Sequence, residues 1–355
     1  IRDVAPSRGL GDVYKRQELC STTIALMKDA KHDISTTMPA PDFVGGGQIL
    51  YDEAQMPGNK YLSSALEEGF LKAPNNDRMK FSLLWCNHDL GDIARGAVTP
   101  ETFERLTDYV IEHYFKHPSY WLVDGCPYFS IYEVNTFLAT FGGDYARAGE
   151  AIARFREKVK AAGFPDLHLN GVLFGLGGIL SQAVAALGLN STTSYVWIHH
   201  NILPDFPATR YEKAASQYMN SVRNGGGSNG LENGAAGIPV PYHLNISMGW
   251  DSSPRCGNVT PGEWLRRRDY PFGAVIVDNT PYLFKKYLAE AKAWTLAKPE
   301  SERIVVINSW NEWGEGSYLE PDTENGMGYL EAVRDVFGSQ QANGTGTAGE
   351  RTVKN

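Results

Sequence analysis

The feature that most constrains the fold is a regular alternation of short apolar runs with helical patterns. Apolar runs of strand length occur at residues 79–85, 128–133, 167–174, 193–199, 243–250 and 303–310. Segments with helical spacing of apolar residues lie between and after them, at residues 99–115, 144–162, 180–187, 211–223, 281–296 and 328–337. We count about seven strand–helix units, spaced roughly 35–50 residues apart. Such alternation predicts an α/β fold with a parallel sheet covered by helices.

Two architectures share this pattern, the doubly wound sheet and the closed (β/α)8 TIM barrel. No glycine-rich nucleotide fingerprint follows any apolar run, which disfavours a nucleotide-binding doubly wound fold. Polar and aromatic residues gather just after the runs instead, where a TIM barrel carries its active site. We therefore predict one barrel over residues 18–337, a non-native or disordered leader over 1–17, and a disordered tail over 338–355. The turn-rich stretch 33–61 predicts that the first strand or strands are missing or altered.

Charge and cysteine content exclude several classes of protein. Lys and Arg number 33 against 41 Asp and Glu, so the net charge of −8 argues against a nucleic-acid partner. No apolar run approaches the roughly 18 residues of a membrane-spanning helix. The four cysteines are widely spaced and form no C-x-x-C pair, so we predict neither a structural zinc site nor a dense disulfide scaffold. The chain begins without Met and residues 1–17 lack a signal-peptide core, so we expect a truncated gene and predict no compartment.

Residues that could bind a sugar lie at the ends of the predicted strands. Aromatic rings stack on the C–H faces of sugars, and polar side chains bind hydroxyl groups. The candidates are Trp85, Asn87, His88, Asp89, Tyr132, Trp197, His199, Trp250, Asp251, Asn311, Trp313, Tyr318 and Glu320. For His88 and Asp89 the alternative is tying down a loop, and for Trp250 it is packing at the rim. His199 and His200 are a poor metal pair, because neighbouring strand residues face opposite ways.

The strongest chemical signal is the carboxylate pair Glu312 and Glu315, directly after the most hydrophobic strand. Two carboxylates held together beside a Trp cannot both ionise freely, so one becomes an acid and the other a base. Cleavage of a sugar acetal needs this pairing of roles. The alternative interpretation is that one Glu caps a helix and the other forms an ion pair with an Arg.

Residues 311–321 (NEWGEGSYLEP) closely resemble the signature of the glycoside hydrolase family 99-like proteins, which include a bacterial branch of WbsX-like glycosyltransferases. The resemblance extends over residues 87–89, 121–132, 155–164, 193–197, 248–255 and 325–332. It therefore covers roughly residues 60 to 337. Cys86 and Leu90 stand where relatives tend to carry Ala and an aromatic residue.

The resemblance implies a (β/α)8 barrel without a metal or organic cofactor, acting on an oligo- or polysaccharide. In the hydrolase branch an α-mannosidic bond is cleaved with retention. The Glu matching Glu312 takes the proton of the sugar 2-hydroxyl, whose oxygen attacks the anomeric carbon. The Glu matching Glu315 protonates the leaving oxygen and later activates water.

Three functions remain open. The first is a glycoside hydrolase acting on mannose- or rhamnose-like sugars of a bacterial or host polysaccharide. The second is a glycosyltransferase of O-antigen or polysaccharide synthesis, although no D-x-D motif or basic cluster stands beside the glutamates. The third is an inactive glycan-binding barrel.

Overall fold

The computed structural model describes residues 44–52, 59–61, 65–87 and 98–338. The predictions for residues 1–43, for His88 and Asp89, for Leu90 and for the tail beyond Gly338 lie outside these ranges.

Strands and helices alternate along most of the described chain. The strands are β1 Val44–Asp52, β2 Asn59–Tyr61, β3 Lys80–Trp85, β4 Leu122–Val123, β5 Cys126–Ile131, β6 His168–Val172, β7 Ser191–Thr193, β8 Ala208–Arg210, β9 Tyr242–Ser247, β10 Val275–Val277, β11 Val305–Asn308, β12 Asn311–Glu312 and β13 Ser317–Tyr318. The α-helices are α1 Pro100–Val110, α2 Val134–Thr140, α3 Tyr145–Ala161, α4 Leu180–Leu187, α5 Tyr211–Asn224, α6 Pro261–Arg266, α7 Pro281–Leu296 and α8 Gly328–Phe337.

The main sheet is parallel, as predicted, but it is not closed. Its strand order is β11-β9-β7-β6-β5-β3-β1-β2, with β4 added beside β5. Only β2 and β4 pair antiparallel with their neighbours in this sheet. Within the described ranges β1 and β11 do not pair with each other, so these strands form a curved parallel sheet like part of a barrel rather than a full (β/α)8 barrel.

The turn-rich stretch 33–61 contains a strand that the sequence pattern did not predict. Residues 44–52 form β1 despite the three consecutive glycines at 45–47, and β1 pairs in parallel with β3 from Val44↔Lys80 to Ile49↔Trp85. Ladder hydrogen bonds use only backbone groups, so a glycine-rich segment can join a sheet even though it adds no side-chain packing. The sequence pattern missed the strand because it reads side chains alone.

Side chains alternate across the sheet and so define two different faces. On β5, Phe129 faces the helices, where its ring lies 5.6 Å from that of Phe155. Its neighbour Ser130 points the other way and donates a hydrogen bond to Asn170 on β6, 3.1 Å away. We call the side with Ser130 the inner face, and it is polar along β5, β6, β7 and β9. The outer face carries the hydrophobic core between sheet and helices.

Helix starts agree with the sequence. Thr99 accepts a hydrogen bond from Thr102 N at 3.2 Å and Pro100 opens α1, which confirms the predicted cap. The strand predicted at 193–199 was misplaced, because β7 spans Ser191–Thr193 and Trp197–His199 forms a 3-10 turn. The helices α2 and α6 were not predicted.

In the part of the chain that the structure covers, no helix has both the length and the apolar character to cross a bilayer.

Candidate active site

The two glutamates lie on a tight hairpin at the carboxyl end of β11. In this hairpin Glu312 on β12 pairs with Ser317 on β13, and a 3-10 turn, Trp313–Glu315, joins the strands. Ser309 fixes the base of the hairpin, since its Oγ donates to Ser317 O at 2.7 Å and accepts from Glu312 N at 3.2 Å. The carboxylate pair is therefore held by a rigid backbone rather than by a free loop.

The hairpin packs backbone to backbone against the segment that follows β9. Asp251 N donates to Glu315 O at 2.7 Å, and Ser317 Oγ donates to Gly249 O at 2.5 Å. Gly316 has a φ of +63°, and a Cβ at this position would lie 2.9 Å from Cβ of Asp251. Glycine is required here both for the left-handed backbone and for the close approach. The strand ends of β9 and β11 thus meet at the carboxylate pair.

Arg255 binds both members of the carboxylate pair. Its Nη2 donates to Glu312 Oε1 at 2.7 Å, and its Nε lies 3.3 Å from Glu315 Oε1. The side chains are 11% exposed for Arg255 and 14% for each glutamate, so water screens these charges only weakly. An ion pair with an Arg, raised above as an alternative for one Glu, is present for both.

The environment of Glu315 favours its protonated form. Burial, followed by the negative charge of Glu312, raises the pKa of Glu315 to about 7, while Arg255 and a hydrogen bond from Tyr270 oppose the rise. The Tyr270 hydroxyl donates to Glu315 Oε1 at 3.1 Å. A carboxyl group with a pKa near neutrality can act as a general acid at physiological pH.

A wall of aromatic rings faces the carboxylate pair from the ends of β5, β6 and β7. The ring of Tyr132 lies 5.2 Å from that of Tyr195 and 6.4 Å from that of Phe174. His199 stacks on Phe174 at 4.2 Å. Burial, then the charges of Glu312 and Glu315, raise the pKa of Tyr195 well above its usual value. Burial lowers the pKa of His199 to about 3, so its imidazole is neutral.

Trp313 forms an exposed flat surface between the two glutamates. Its ring stacks on Tyr318 at 3.7 Å with an interplanar angle of 15°, and its Nε1 donates to Glu320 Oε2 at 2.7 Å. The side chain remains 42% exposed despite these contacts. The structure therefore brings together Trp313, Tyr318 and Glu320, all three of which the sequence predicted. Asn311 lies on the same hairpin, paired with Tyr318.

Trp250 and Asp251 support the site from below. Trp250 is only 6% exposed, and its ring lies 6.3 Å from that of Tyr270. Asp251 Oδ1 accepts from Ser253 N at 2.9 Å, which shapes the turn that leads to Arg255. The geometry thus matches rim packing for Trp250, the alternative considered above.

Three residues that were predicted to bind a sugar make other contacts in the structure. For Trp85 and Trp197 the prediction is wrong. Trp85 is 1% exposed on the outer face of β3 and stacks on Phe103. Trp197 is also buried, and its Nε1 donates to Asn245 O at 3.1 Å. Asn87 joins two strand ends: its Nδ2 donates to Glu133 O at 2.7 Å and its Oδ1 accepts from Glu133 N at 2.8 Å.

Sequence reasoning missed several residues of the site. They are Phe174, Tyr195, Arg255, Tyr270 and Asn308. Arg255 ends the segment 248–255 already noted for its resemblance, so the signal was present without a role attached. Asn308 is 3% exposed and pairs in register with Ser247. Neither side-chain atom of Asn308 has a hydrogen-bond partner in the described chain, so its amide can serve a hydroxyl group or a water molecule.

Two further observations bear on chemistry at the site. Burial, then the charge of Glu312, raises the pKa of the Cys86 thiol, which stays protonated beside the carboxylates. Across residues 44–52, 59–61, 65–87 and 98–338, no group of three or more His, Cys, Asp or Glu side chains could hold a metal ion.

Comparison with solved structures found similar chains at low sequence identity. One described as "Glycoside hydrolase-like protein" is 14% identical, with a TM-score of 0.52 over 88% of this chain and 86% of the other. The GH99 endo-alpha-mannosidase from Bacteroides thetaiotaomicron is 15% identical, with a TM-score of 0.48 over 86% of this chain and 78% of the other. The first of these shows a shared fold.

Sequence comparison places the chain in a family. The uncharacterized protein WxcX of Xanthomonas campestris pv. campestris strain B100 is 33% identical over 93 residues, which are 26% of this chain but 12% of that relative's length. The family "Glycosyltransferase WbsX" matches residues 56–333, most of the chain, and so confirms the resemblance drawn from residues 311–321. The chain belongs to the family described as "Glycosyltransferase WbsX".

Proposed function

We propose that this protein is a glycoside hydrolase that cleaves a bond to a mannose- or rhamnose-like sugar in a polysaccharide. The observation that carries the proposal is the buried carboxylate pair on one guanidinium, with Glu315 titrating near neutrality beside an exposed Trp. Acetal cleavage needs a proton donor and a base within reach of one sugar ring. Glu315 supplies the donor and Glu312 the base.

The proposed reaction proceeds in two steps without a covalent bond to the enzyme. In the first, Glu312 takes the proton of the sugar 2-hydroxyl, O2 bonds to the anomeric carbon, and the bond to the leaving oxygen breaks. Glu315 gives its proton to that oxygen. In the second, Glu315 takes a proton from water, which bonds to the anomeric carbon. The bond from that carbon to O2 then breaks, and O2 regains its proton from Glu312.

Aromatic surfaces on either side of the pair would bind the sugars. Trp313 presents one ring face to solvent while Tyr318 supports the other, so a sugar can stack there without rearrangement. Tyr132 and the neutral His199 offer hydrogen bonds from the opposite wall. Asn308 offers an amide that can bind a hydroxyl group at the floor of the site. Neutral side chains of this kind suit an uncharged sugar.

A second candidate is transfer from an activated sugar, which the family name favours. A transferase that uses a nucleotide sugar has to neutralise a diphosphate, ordinarily with a metal or a basic cluster. Arg255 contacts the glutamates instead. We therefore place hydrolysis first, transfer second and an inactive glycan-binding protein third.

Release of reducing ends from a panel of glycans tests the proposal. The panel contains mannans, rhamnose-containing polysaccharides and O-antigen glycans, each incubated with and without nucleotide-activated mannose or rhamnose. Release without a nucleotide sugar, abolished by Glu312→Gln and by Glu315→Gln, is the expected result. Glu300→Gln, at an exposed glutamate, serves as the matched control. Product that forms only when the nucleotide sugar is present would establish the transferase. Binding without turnover in either arm would establish the glycan-binding protein.

A further inference from the structure

The carboxylate pair is asymmetric around its shared cation. Arg255 makes its short hydrogen bond to Glu312, at 2.7 Å, while its approach to Glu315 is a longer ionic contact at 3.3 Å. Glu315 in turn accepts a hydrogen bond from the Tyr270 hydroxyl. One cation faces two carboxylates, so the buried cluster is electrically neutral only when one proton resides on the pair.

We propose that Arg255 is the positioning residue that gives Glu312 and Glu315 unlike roles, by holding Glu312 as the anion and leaving the proton on Glu315. This inference rests on the proposed function for its meaning, because it explains how two similar glutamates come to act as base and acid. Its physical content is independent of any substrate. A charge-assisted hydrogen bond to the ionised form stabilises that form, and the shorter bond does so more strongly.

The turn that bears Glu315 is shaped to admit the guanidinium. Arg255 lies in the one-turn helix Ser253–Cys256, which packs on the turn Trp313–Glu315. A Cβ at Gly314 would stand 3.3 Å from both Cζ and Nη2 of Arg255. Any larger residue at this position would therefore press directly on the guanidinium. Gly314 leaves the space that lets one cation reach both glutamates.

Among the residues that the structure describes, the other titratable groups whose electrostatics involve the pair do not supply a competing cation. Burial and then the charges of nearby acidic groups, including Glu312 or Glu315, raise the pKa values of Cys86 at the end of β3, Tyr132 at the end of β5 and Tyr195 after β7, so these three groups stay neutral. Tyr270 is neutral for the same reason.

Two anionic side chains also lie near the carboxylate pair. Glu133 acts on Cys86 and Tyr132 from the end of β5, and Asp251 lies beside the backbone of Glu315. Both would favour protonation of the pair. Removing the positive charge of Arg255 should therefore change how the proton is distributed between Glu312 and Glu315.

Titration of each glutamate alone tests this inference without a substrate. In the Glu315→Gln background only Glu312 remains of the pair, and in Glu312→Gln only Glu315. Carboxylate bands of protein labelled with ¹³C-glutamate, followed by infrared spectroscopy against pH, report each group in difference spectra. Adding Arg255→Met should raise the titration midpoint of Glu312 by about one to three pH units and that of Glu315 by less. Arg255→Lys should restore part of the difference.

A second variant covers the chance that Arg255→Met does not fold. Gly314→Ala keeps the charge but displaces the guanidinium, and it should move the Glu312 midpoint in the same direction by a smaller amount. Arg154→Met, which removes an exposed ion pair with Glu104, is the control and should move neither midpoint. Equal shifts at both glutamates, or no shift in folded Arg255→Met and Gly314→Ala proteins, would overturn the assignment. No glycan is used in these titrations, so their result does not depend on the result of the hydrolysis panel.

Discussion

Two buried polar layers on the inner face of the sheet differ in charge, because one is neutral and the other holds ionisable groups that carry charge. The lower layer lies at the starts of the strands, where the Tyr128 hydroxyl is 3.0 Å from His243 Nδ1 and His168 Nε2 is 2.8 Å from Ser191 Oγ. Burial lowers the pKa of His168 to about 4 and that of His243 to about 3, so this layer is neutral. The upper layer, at the strand ends, holds Arg255 and the carboxylate pair.

Burial has a different energetic consequence in each layer. Neutral groups that satisfy one another's hydrogen bonds can be buried at little cost and then specify the packing of the sheet. Charged groups held close together lose hydration and repel one another, so the upper layer reduces stability. That unfavourable arrangement raises the pKa of Glu315, which is the property that catalysis needs.

The largest expected effect comes from the upper layer. Glu312→Gln and Glu315→Gln should each lower kcat/KM for glycan hydrolysis by about 10²- to 10⁴-fold, because each removes a proton-transfer group. The free energy of unfolding of Glu315→Gln should stay the same or rise, because the group whose ionisation is opposed by burial and by Glu312 is gone. Steady-state kinetics and urea denaturation measure the two effects. Loss of stability in Glu315→Gln would count against the contrast between layers.

Substitutions at two tryptophans distinguish a residue of the hydrophobic core from a residue of the candidate site. Trp85→Ala should lower the free energy of unfolding by about 3–5 kcal/mol, because it empties a buried space beside Phe103 and Phe137. Trp313→Ala should leave stability nearly unchanged and raise KM, since its exposed face is available to a sugar. Thermal denaturation and kinetics on both variants check this. The reverse assignment would show that Trp85 faces the substrate.

In the lower layer, a single hydroxyl group should matter for stability alone. Tyr128→Phe removes the group that meets His243 Nδ1 and leaves that buried nitrogen without its partner. We expect a loss of about 1–3 kcal/mol in the free energy of unfolding, with kcat/KM unchanged. Urea denaturation of Tyr128→Phe beside Tyr282→Phe, at a highly exposed tyrosine, gives the matched comparison. A drop in kcat/KM would mean that the lower layer takes part in catalysis.

The smallest effect is a difference in how the layers respond to pH. His168 and His243 have folded pKa values below 6.5, so their contribution to stability is complete above pH 6.5 and declines as the pH falls towards 4. Glu315 has a folded pKa raised from 4.5 to about 7, so its contribution is complete below pH 4.5 and is lost as the pH rises through 7.

These opposite signs partly cancel in the intact protein. Glu315→Gln removes the opposing contribution, so its stability relative to the parent should increase between pH 4.5 and 7. Urea denaturation at pH 4.5, 5.5 and 7 measures the difference, with Glu300→Gln as the control. Parallel curves for Glu315→Gln and the parent would contradict the raised pKa.

The sequence alone predicted the layers of the fold and the centre of the site. The strands at residues 80–85 and 305–308 and the glutamates after the last strand all follow from local patterns. The prediction that Trp85 faces the substrate was wrong because it used only the position of this residue at a strand end. In the run MKFSLLW, Phe81, Leu83 and Trp85 lie on the same face of the strand, so the alternation already favours packing of Trp85 with the hydrophobic core.

The local sequence pattern also could not predict contacts between residues that lie far apart in the chain. Arg255 meets Glu312 across 57 residues of sequence, and only the pairing of β9 with β11 brings them together. Strand β1 was missed for a different reason. Its glycines carry no hydrophobic signal, and its pairing with β3 depends on the backbone.

The unlike roles of the two glutamates are tested most directly by a substrate whose leaving group needs no acid. Fluoride leaves without protonation, so single-turnover release of fluoride from a mannosyl or rhamnosyl fluoride depends on the base but not on the proton donor. We expect near-parental release by Glu315→Gln and strongly reduced release by Glu312→Gln. Equal loss in both variants, or release that survives only in Glu312→Gln, would contradict it.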